Sequence, residues 1–276
     1  MIDIDNMSNK TIVAEQYKNT NNLKFRQGLH EKYSVNKTGL GRWMFEQYPF
    51  RAKMKILELG SGRGDLWKYY FENEDLLRYE MDITLSDFSD GMVDHIRQSY
   101  SGKNISVKKI NIQDIPFENN TFDLVIANSM LYHVKNIDLA ISEVSRVLKK
   151  DGVFYCSTLG VNGMIGFLYQ ALDKLNIPYD READISFNLQ NGMELLKKKF
   201  AKVERRDYED ALEIDVVEDY VEYIYSMASM QGLERKYYDS LLSYFDSQKV
   251  DGFLHIPKEY GMFVASKKSA ACGPTA

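Results

Sequence analysis

Three glycines at alternate positions, Gly60, Gly62 and Gly64, follow the apolar run Ile56, Leu57, Leu59 and constrain this chain more than any other stretch. A short apolar run bounded by glycine reads as a buried parallel strand. The glycines read as a tight turn, and Leu66, Trp67, Tyr70 and Phe71 then recur at helical spacing. A strand, glycine loop and helix let a ligand come close to the backbone and aim helix N-terminal N–H groups at it. A dinucleotide fingerprint, G-x-G-x-x-G, wants glycine where this chain has Asp65. A carboxylate there is a poor neighbour for a pyrophosphate. No Gly-Lys-Ser/Thr follows the strand, so a P-loop is excluded as well. A nucleoside ligand without phosphates remains, level on this motif alone with a glycine turn in some other α/β protein.

The pattern Glu58-x-Gly60-x-Gly62-x-Gly64, with Ser61 inside it, resembles the first motif of the class I S-adenosylmethionine-dependent methyltransferases, E/D-x-G-x-G-x-G. The resemblance continues to Thr158 through Asp87, Asp114, the Asn128 segment and a helix end of the form R-V-L-K-x-x-G at Arg146 to Gly152. Several landmarks in one order are far more specific than any alone. The resemblance implies an α/β fold, a Rossmann-like seven-stranded, mostly parallel sheet with helices on both faces and a helical cap. It also implies S-adenosyl-L-methionine as cofactor.

Composition bounds the partners. The chain has 276 residues, enough for one large domain or for a core with a smaller second unit. Its formal net charge of -5 supplies no global basic field for nucleic acid or an anionic membrane, although a local basic patch stays open. Cys156 and Cys272 are far apart and lack metal-ligand spacing, so no metal site and no disulfide framework is expected, and the compartment expected is the reducing cytoplasm. The Asp- and Asn-rich start is not a signal peptide, and no run approaches membrane-spanning length. The expected organisation is an N-terminal helical lid over 1–50, a cofactor-binding core over 51–160, the rest of the core with an inserted helical cap over 161–268, and a disordered tail over 269–276. Oligomeric state is not readable.

Further strands are expected at Met81 to Ser86, Ile105 to Ile110, Phe122 to Ala127, Val153 to Ser157, Ala201 to Tyr208 and Glu259 to Ser266. Asp87 ends the second, roughly twenty residues past the glycines, placed to accept from ribose hydroxyls. It is equally a common helix-start residue. Phe88 and Met92 then offer apolar surface to an adenine. The resemblance assigns Asp114 to the adenine amino group and the Ile115 N–H to the ring nitrogen N1. Asn128 and Ser129 lie just beyond the fourth strand, and functional residues collect at the carboxyl ends of strands in open α/β sheets. Amphipathic helices follow, notably Ile137 to Leu148, which Lys149, Lys150 and Gly152 are expected to end.

A sulfonium methyl already has a good leaving group, so the protein mainly has to position a nucleophile. If the nucleophile bears a proton, a base helps. His133 is the best-placed imidazole, balanced against a purely structural role after the fourth strand; Tyr17 and His30 are further candidates on the N-terminal helices. An N/D-P-P-Y segment is absent after that strand, against adenine amino methylation, and two remote cysteines cannot hold arsenite. The Tyr- and Met-rich cap favours an enclosed small-molecule substrate with apolar or aromatic parts. The alternatives are a cofactor-binding protein or subunit without transfer activity, an RNA or protein methyltransferase, and a dinucleotide-dependent reductase, against which Asp65 counts.

Overall fold

A computed structural model of the chain describes residues 20–179, 186–227, 230 and 232–267. Its strands are β1 Lys55–Leu59, β2 Asp82–Asp87, β3 Ile105–Lys109, β4 Phe122–Asn128, β5 Leu148–Leu159, β6 Lys202–Ile214 and β7 Leu254–Ser266. The helices, in chain order, are α1 Thr20–Tyr33, α2 Leu40–Glu46, α3 Lys68–Phe71, α4 Glu74–Leu77, α5 Asp90–Ser99, α6 Ile137–Val147, α7 Met164–Lys174, α8 Gly192–Lys197, α9 Val217–Ser226 and α10 Tyr238–Ser247. The seven strands form one sheet in the order β3-β2-β1-β4-β5-β7-β6. The pairs from β3 through β5 are parallel, and β7 runs antiparallel to β5. This is the Rossmann-like, mostly parallel sheet expected from the resemblance. From β1 the chain steps outward to β2 and β3, then returns to lay β4 on β1's other side. That reversal is a topological switch point, and open α/β sheets bind ligands beyond the carboxyl ends of the strands at such points.

The central strands are apolar throughout because both faces are covered. Leu57, Leu59, Val125 and Ala127 pack on one side with Ala140, Ile141, Val144 and Val147 of α6. Ile56, Leu124 and Ile126 alternate to the other, with Met44, Phe45, Trp67, Tyr70 and Ile96. Each such side chain, fully buried, contributes about 1.5–3 kcal/mol.

The chain divides into two compact units. One takes the described parts of Thr38–Gly160, Ser186–Tyr208 and Tyr260–Ala276, and holds the two cores just named. The other takes the described parts of Met1–Lys37, Val161–Ile185 and Glu209–Glu259. Its own core joins Leu29, Leu168, Leu172, Tyr220, Ile224 and Phe245 from α1, α7, α9 and α10. The outer parts of β6 and β7 belong to this second unit, which is why both strands are longer than their apolar alternation suggests.

Some local expectations change. The helix after the glycine loop is a single 3-10 turn, Asp65–Trp67, then four residues of α3, because Asn73 restarts the chain by capping α4 with its side chain. Lys149 to Gly152 do not end α6; it stops at Val147, and Leu148 already pairs with Phe122 in β5. The N-terminal helical stretch breaks after Tyr33, where Ser34 bridges Leu212. Tyr17 and the tail from 269 lie outside the described residues. Among the described residues, no helix is long and apolar enough to cross a membrane.

Candidate functional site

The loop after β1 is built by glycine conformations and held by β2. Gly60 adopts φ +66°, and a Cβ there would lie 2.8 Å from Cγ of Met130. Gly64 adopts φ +74° against the ring of Tyr100, whose hydroxyl donates to the Gly64 carbonyl at 2.6 Å. Ser61 N–H donates to the Ser86 carbonyl at 2.8 Å, and Ser86 N–H donates back to Ser61 Oγ at 3.2 Å. Ser86 Oγ–H completes the lock by donating to the Glu58 carbonyl at 2.7 Å. Space beside Gly62 is open: nothing lies within 4 Å of where its Cβ would stand.

Two carboxylates border this loop. Asp87, at the end of β2, accepts from Gly62 N–H at 3.0 Å and from Ser89 N–H at 2.9 Å. Glu58 lies on the β1 face that carries Ile56 and is 3 % exposed. Its Oε2 accepts from Trp67 Nε1–H at 2.8 Å, and Asn128 Nδ2–H lies 3.4 Å from its Oε1. Burial is the main reason both carboxyls sit above their ordinary pKa; for Glu58 the Asp87 charge adds to it. Among the described residues neither forms a salt bridge. The loop is therefore bordered by two partly or fully buried carboxyls that form no ion pair among the described residues, while the loop's own Arg63 lies 3.8 Å from Asp65.

At the end of β4, Asn128 donates through Nδ2 to Tyr48 Oη at 2.7 Å. Its Oδ1 is buried and has no hydrogen-bond partner. Ser129 takes φ +49°, a conformation non-glycine residues rarely adopt, while its N–H donates to Ser157 at 3.0 Å (carbonyl) and 3.1 Å (Oγ). Strain of this sort clusters at sites where the surrounding structure over-determines the backbone.

Glu58, Gly60, Ser61, Gly62, Asp87, Asn128 and Ser129 thus gather at the switch point. Other candidates fare differently. Phe88 is 49 % exposed with Lys109 Nζ 5.9 Å from its ring, and Met92 is half-buried on α5. Asp114 is exposed. The Ile115 N–H, expected to meet a ring nitrogen, already donates to Glu143 Oε2 at 2.9 Å, and the Ile115 side chain is buried; the structure removes it from that role. His133 stands on the 3-10 turn Leu131–His133 beside Tyr132, and its pKa lies below the ordinary histidine value because surrounding protein disfavours the charged ring. His30 belongs to the other unit. Burial and the Lys258 charge lower its pKa to about 4, offset in part by Asp210, and its Nδ1 is buried without a partner. The ion pair of Lys258 and Asp210 beside it is itself buried, with Ser34 Oγ accepting from Lys258 Nζ at 2.8 Å. Cys156 is fully buried, its thiol pKa pushed well up, and has no nucleophilic character.

Sequence reasoning missed Tyr48 and the polar role of Trp67. The second had a partial signal: a buried indole N–H needs an acceptor, although Asp65 lies nearer along the chain than the Glu58 that supplies it. Tyr48, 80 positions before Asn128, had none.

The comparisons with known proteins agree with this geometry. A methyltransferase-domain family profile matches residues 57–156. The ubiquinone/menaquinone biosynthesis C-methyltransferase UbiE of Shewanella pealeana is 31% identical over 115 residues, 40% of this chain and 45% of that protein. UbiE of Idiomarina loihiensis is 27% identical over 147 residues, 51% of this chain and 53% of that protein. The chain therefore spans about half the length of these curated relatives. Among solved structures, the YcgJ protein of Bacillus subtilis superposes with a TM-score of 0.54 at 15% identity, covering 83% of this chain and 98% of that one. Phosphoethanolamine N-methyltransferase 2 of Haemonchus contortus, solved with S-adenosyl-L-methionine, gives 0.53 at 16% identity, covering 90% of this chain and 57% of that one. At such identities these two likenesses establish the fold.

Proposed function

We propose that this chain, whose residues 57–156 match a methyltransferase-domain family profile, is a class I S-adenosylmethionine-dependent methyltransferase that transfers the sulfonium methyl of that cofactor to a small-molecule acceptor. The observation that carries this reading is the pair of carboxyls, Glu58 and Asp87, which border a glycine loop open beside Gly62 and are ion-paired to no cation among the described residues. Such a site suits a positively charged, phosphate-free nucleoside and repels a pyrophosphate. The donor set fits the cofactor. The Asp87 carboxyl accepts from the backbone N–H groups of Gly62, Ser89 and Phe88, and of its four lone-pair positions retains capacity for a ribose hydroxyl. Glu58 and the unpartnered Asn128 Oδ1 match the ammonium of the amino-acid arm. Gly62 admits the ligand to the backbone, with Ser61 and Ser129 beside it, while Phe88 and Met92 flank the adenine and Asp114 accepts from its amino group.

When bound, the cofactor supplies an electrophilic methyl on a good leaving group. What the chain supplies is orientation, worth about 7–11 kcal/mol when the reacting atoms are held in line. An acceptor bearing a proton also needs a base, and His133, neutral because its pKa is lowered, is able to accept one. A small-molecule acceptor is supported by the net charge of -5, which disfavours nucleic acid. It is supported too by relatives named for ubiquinone and menaquinone biosynthesis.

Methyl-labelled cofactor incubated with the purified chain and fractionated metabolite pools tests the proposal. The expected result is label in a small organic product with stoichiometric release of S-adenosylhomocysteine. Binding with no transfer to any pool, or label entering only RNA or protein, contradicts it.

A further inference from the structure

Among the described residues only two buried side-chain polar atoms lack a hydrogen-bond partner, and one of them, Asn128 Oδ1, stands at the carboxyl end of β4. A buried acceptor without a donor costs about 1–3 kcal/mol, so its persistence calls for a ligand or a compensating gain. The direction in which it faces is set by its neighbours. Glu58 Oε1 lies 3.4 Å from the Asn128 Nδ2, which donates on that side. Tyr48 Oη accepts from the same Nδ2 at the shorter distance of 2.7 Å and is the closer anchor of the amide. Tyr48 is itself immobilised: it is 6 % exposed and packed edge-on against Tyr155, with ring centroids 5.3 Å apart, and against Phe50 at 5.6 Å. Burial keeps its hydroxyl a neutral phenol.

We propose that Tyr48 is a positioning residue for cofactor binding: by holding the Asn128 amide through its N–H edge, it leaves Asn128 Oδ1 as a preformed acceptor for the ammonium of the cofactor's amino-acid arm. The inference rests on the cofactor reading above and adds a residue that never touches the ligand. Without the Tyr48 oxygen, Nδ2 loses its short partner, the amide is held only by the long contact to Glu58, and Oδ1 is no longer fixed in place for the ammonium. Glu58 alone cannot prevent this, because its contact with Nδ2 is long.

The test is a calorimetric double-mutant cycle with two ligands: S-adenosylhomocysteine, which carries the arm, and 5′-methylthioadenosine, which lacks it. Tyr48→Phe keeps the packed ring and removes only the oxygen. It is expected to weaken S-adenosylhomocysteine about 5–20-fold and to leave 5′-methylthioadenosine within about twofold. Asn128→Ala is expected to weaken the first ligand at least as much, and the double variant no more than Asn128→Ala alone, since Tyr48 acts through Asn128. Equal losses for both ligands, or losses that multiply in the double variant, overturn the inference while the cofactor reading stands. Wild-type protein that binds neither ligand overturns both.

Discussion

Glu58 is an expensive residue to keep where it is. Burial raises its pKa above the ordinary carboxyl value, with Asp87 acting in the same direction. The folded state therefore holds the Glu58 proton at pH values where the unfolded chain has released it. Stability contributed at this position is full below the unfolded pKa and is lost as pH rises through the interval up to the folded one. At neutral pH an ionised Glu58 without a cation weakens the empty protein. Glu58→Gln, which keeps the shape and can still accept from Trp67, is expected to raise the unfolding temperature at pH 7, with the gain vanishing at acid pH. The same change is expected to weaken S-adenosylmethionine binding about tenfold or more, because a charge-assisted bond is lost. Thermal unfolding at several pH values together with calorimetry reads both effects; a variant less stable than wild type at pH 7 contradicts the electrostatic account. At this scale the sequence showed residue types well. Glu58 and Asp87 were singled out by their spacing to the glycines and Asn128 by its place after the fourth strand, while Tyr48 was not, since a hydrogen bond across 80 positions leaves no local pattern. Ile115 was misread because the acceptor for its N–H, Glu143, lies on a helix 28 positions later.

At the scale of elements, the glycine loop separates two reasons for lacking a Cβ. Gly60 combines φ +66° with a collision against Met130, whereas Gly62 combines φ +56° with open space. Left-handed backbone costs a non-glycine residue about 1–2 kcal/mol, and overpacking adds about 1–3. Gly60→Ala is thus expected to destabilise by about 2–4 kcal/mol in urea unfolding, and Gly62→Ala by about 1–2 kcal/mol. Affinity for the cofactor is expected to suffer more in Gly62→Ala than its stability does, because the methyl stands in the space the ligand needs. Equal destabilisation by the two, with unchanged affinity in Gly62→Ala, contradicts this division of roles. The seven strands were legible because buried parallel strands are short apolar runs between turn residues. Their ends were less so. β6 and β7 extend beyond the expected spans, through Tyr208, Leu212 and Ile214 and from Leu254 and Ile256, because charged residues between these buried positions obscure the alternation. The helix after the loop was overextended because its apolar spacing continues to Phe71 while Asn73 caps a new start.

For the whole molecule, the sequence indicated a core and a helical addition, and the structure resolves two compact units, each with its own apolar core. Their composition differs with their roles. The unit with the glycine loop concentrates unpaired acid at one sheet edge. The other is rich in tyrosine and encloses a charged cluster, Lys258, Asp210 and the neutral His30. That cluster had no sequence signature beyond His30 itself, since Asp210 and Lys258 sit on outer strand segments whose pairing the pattern did not disclose. The account as a whole depends on the sheet edge accepting a cationic, phosphate-free nucleoside. Calorimetric titration of wild type and Asp87→Ala with S-adenosylmethionine, and of wild type with NAD, tests this most directly. Saturable binding of S-adenosylmethionine to wild type, greatly weakened in a folded Asp87→Ala and absent with NAD, is the predicted result; binding of NAD with none of S-adenosylmethionine contradicts it.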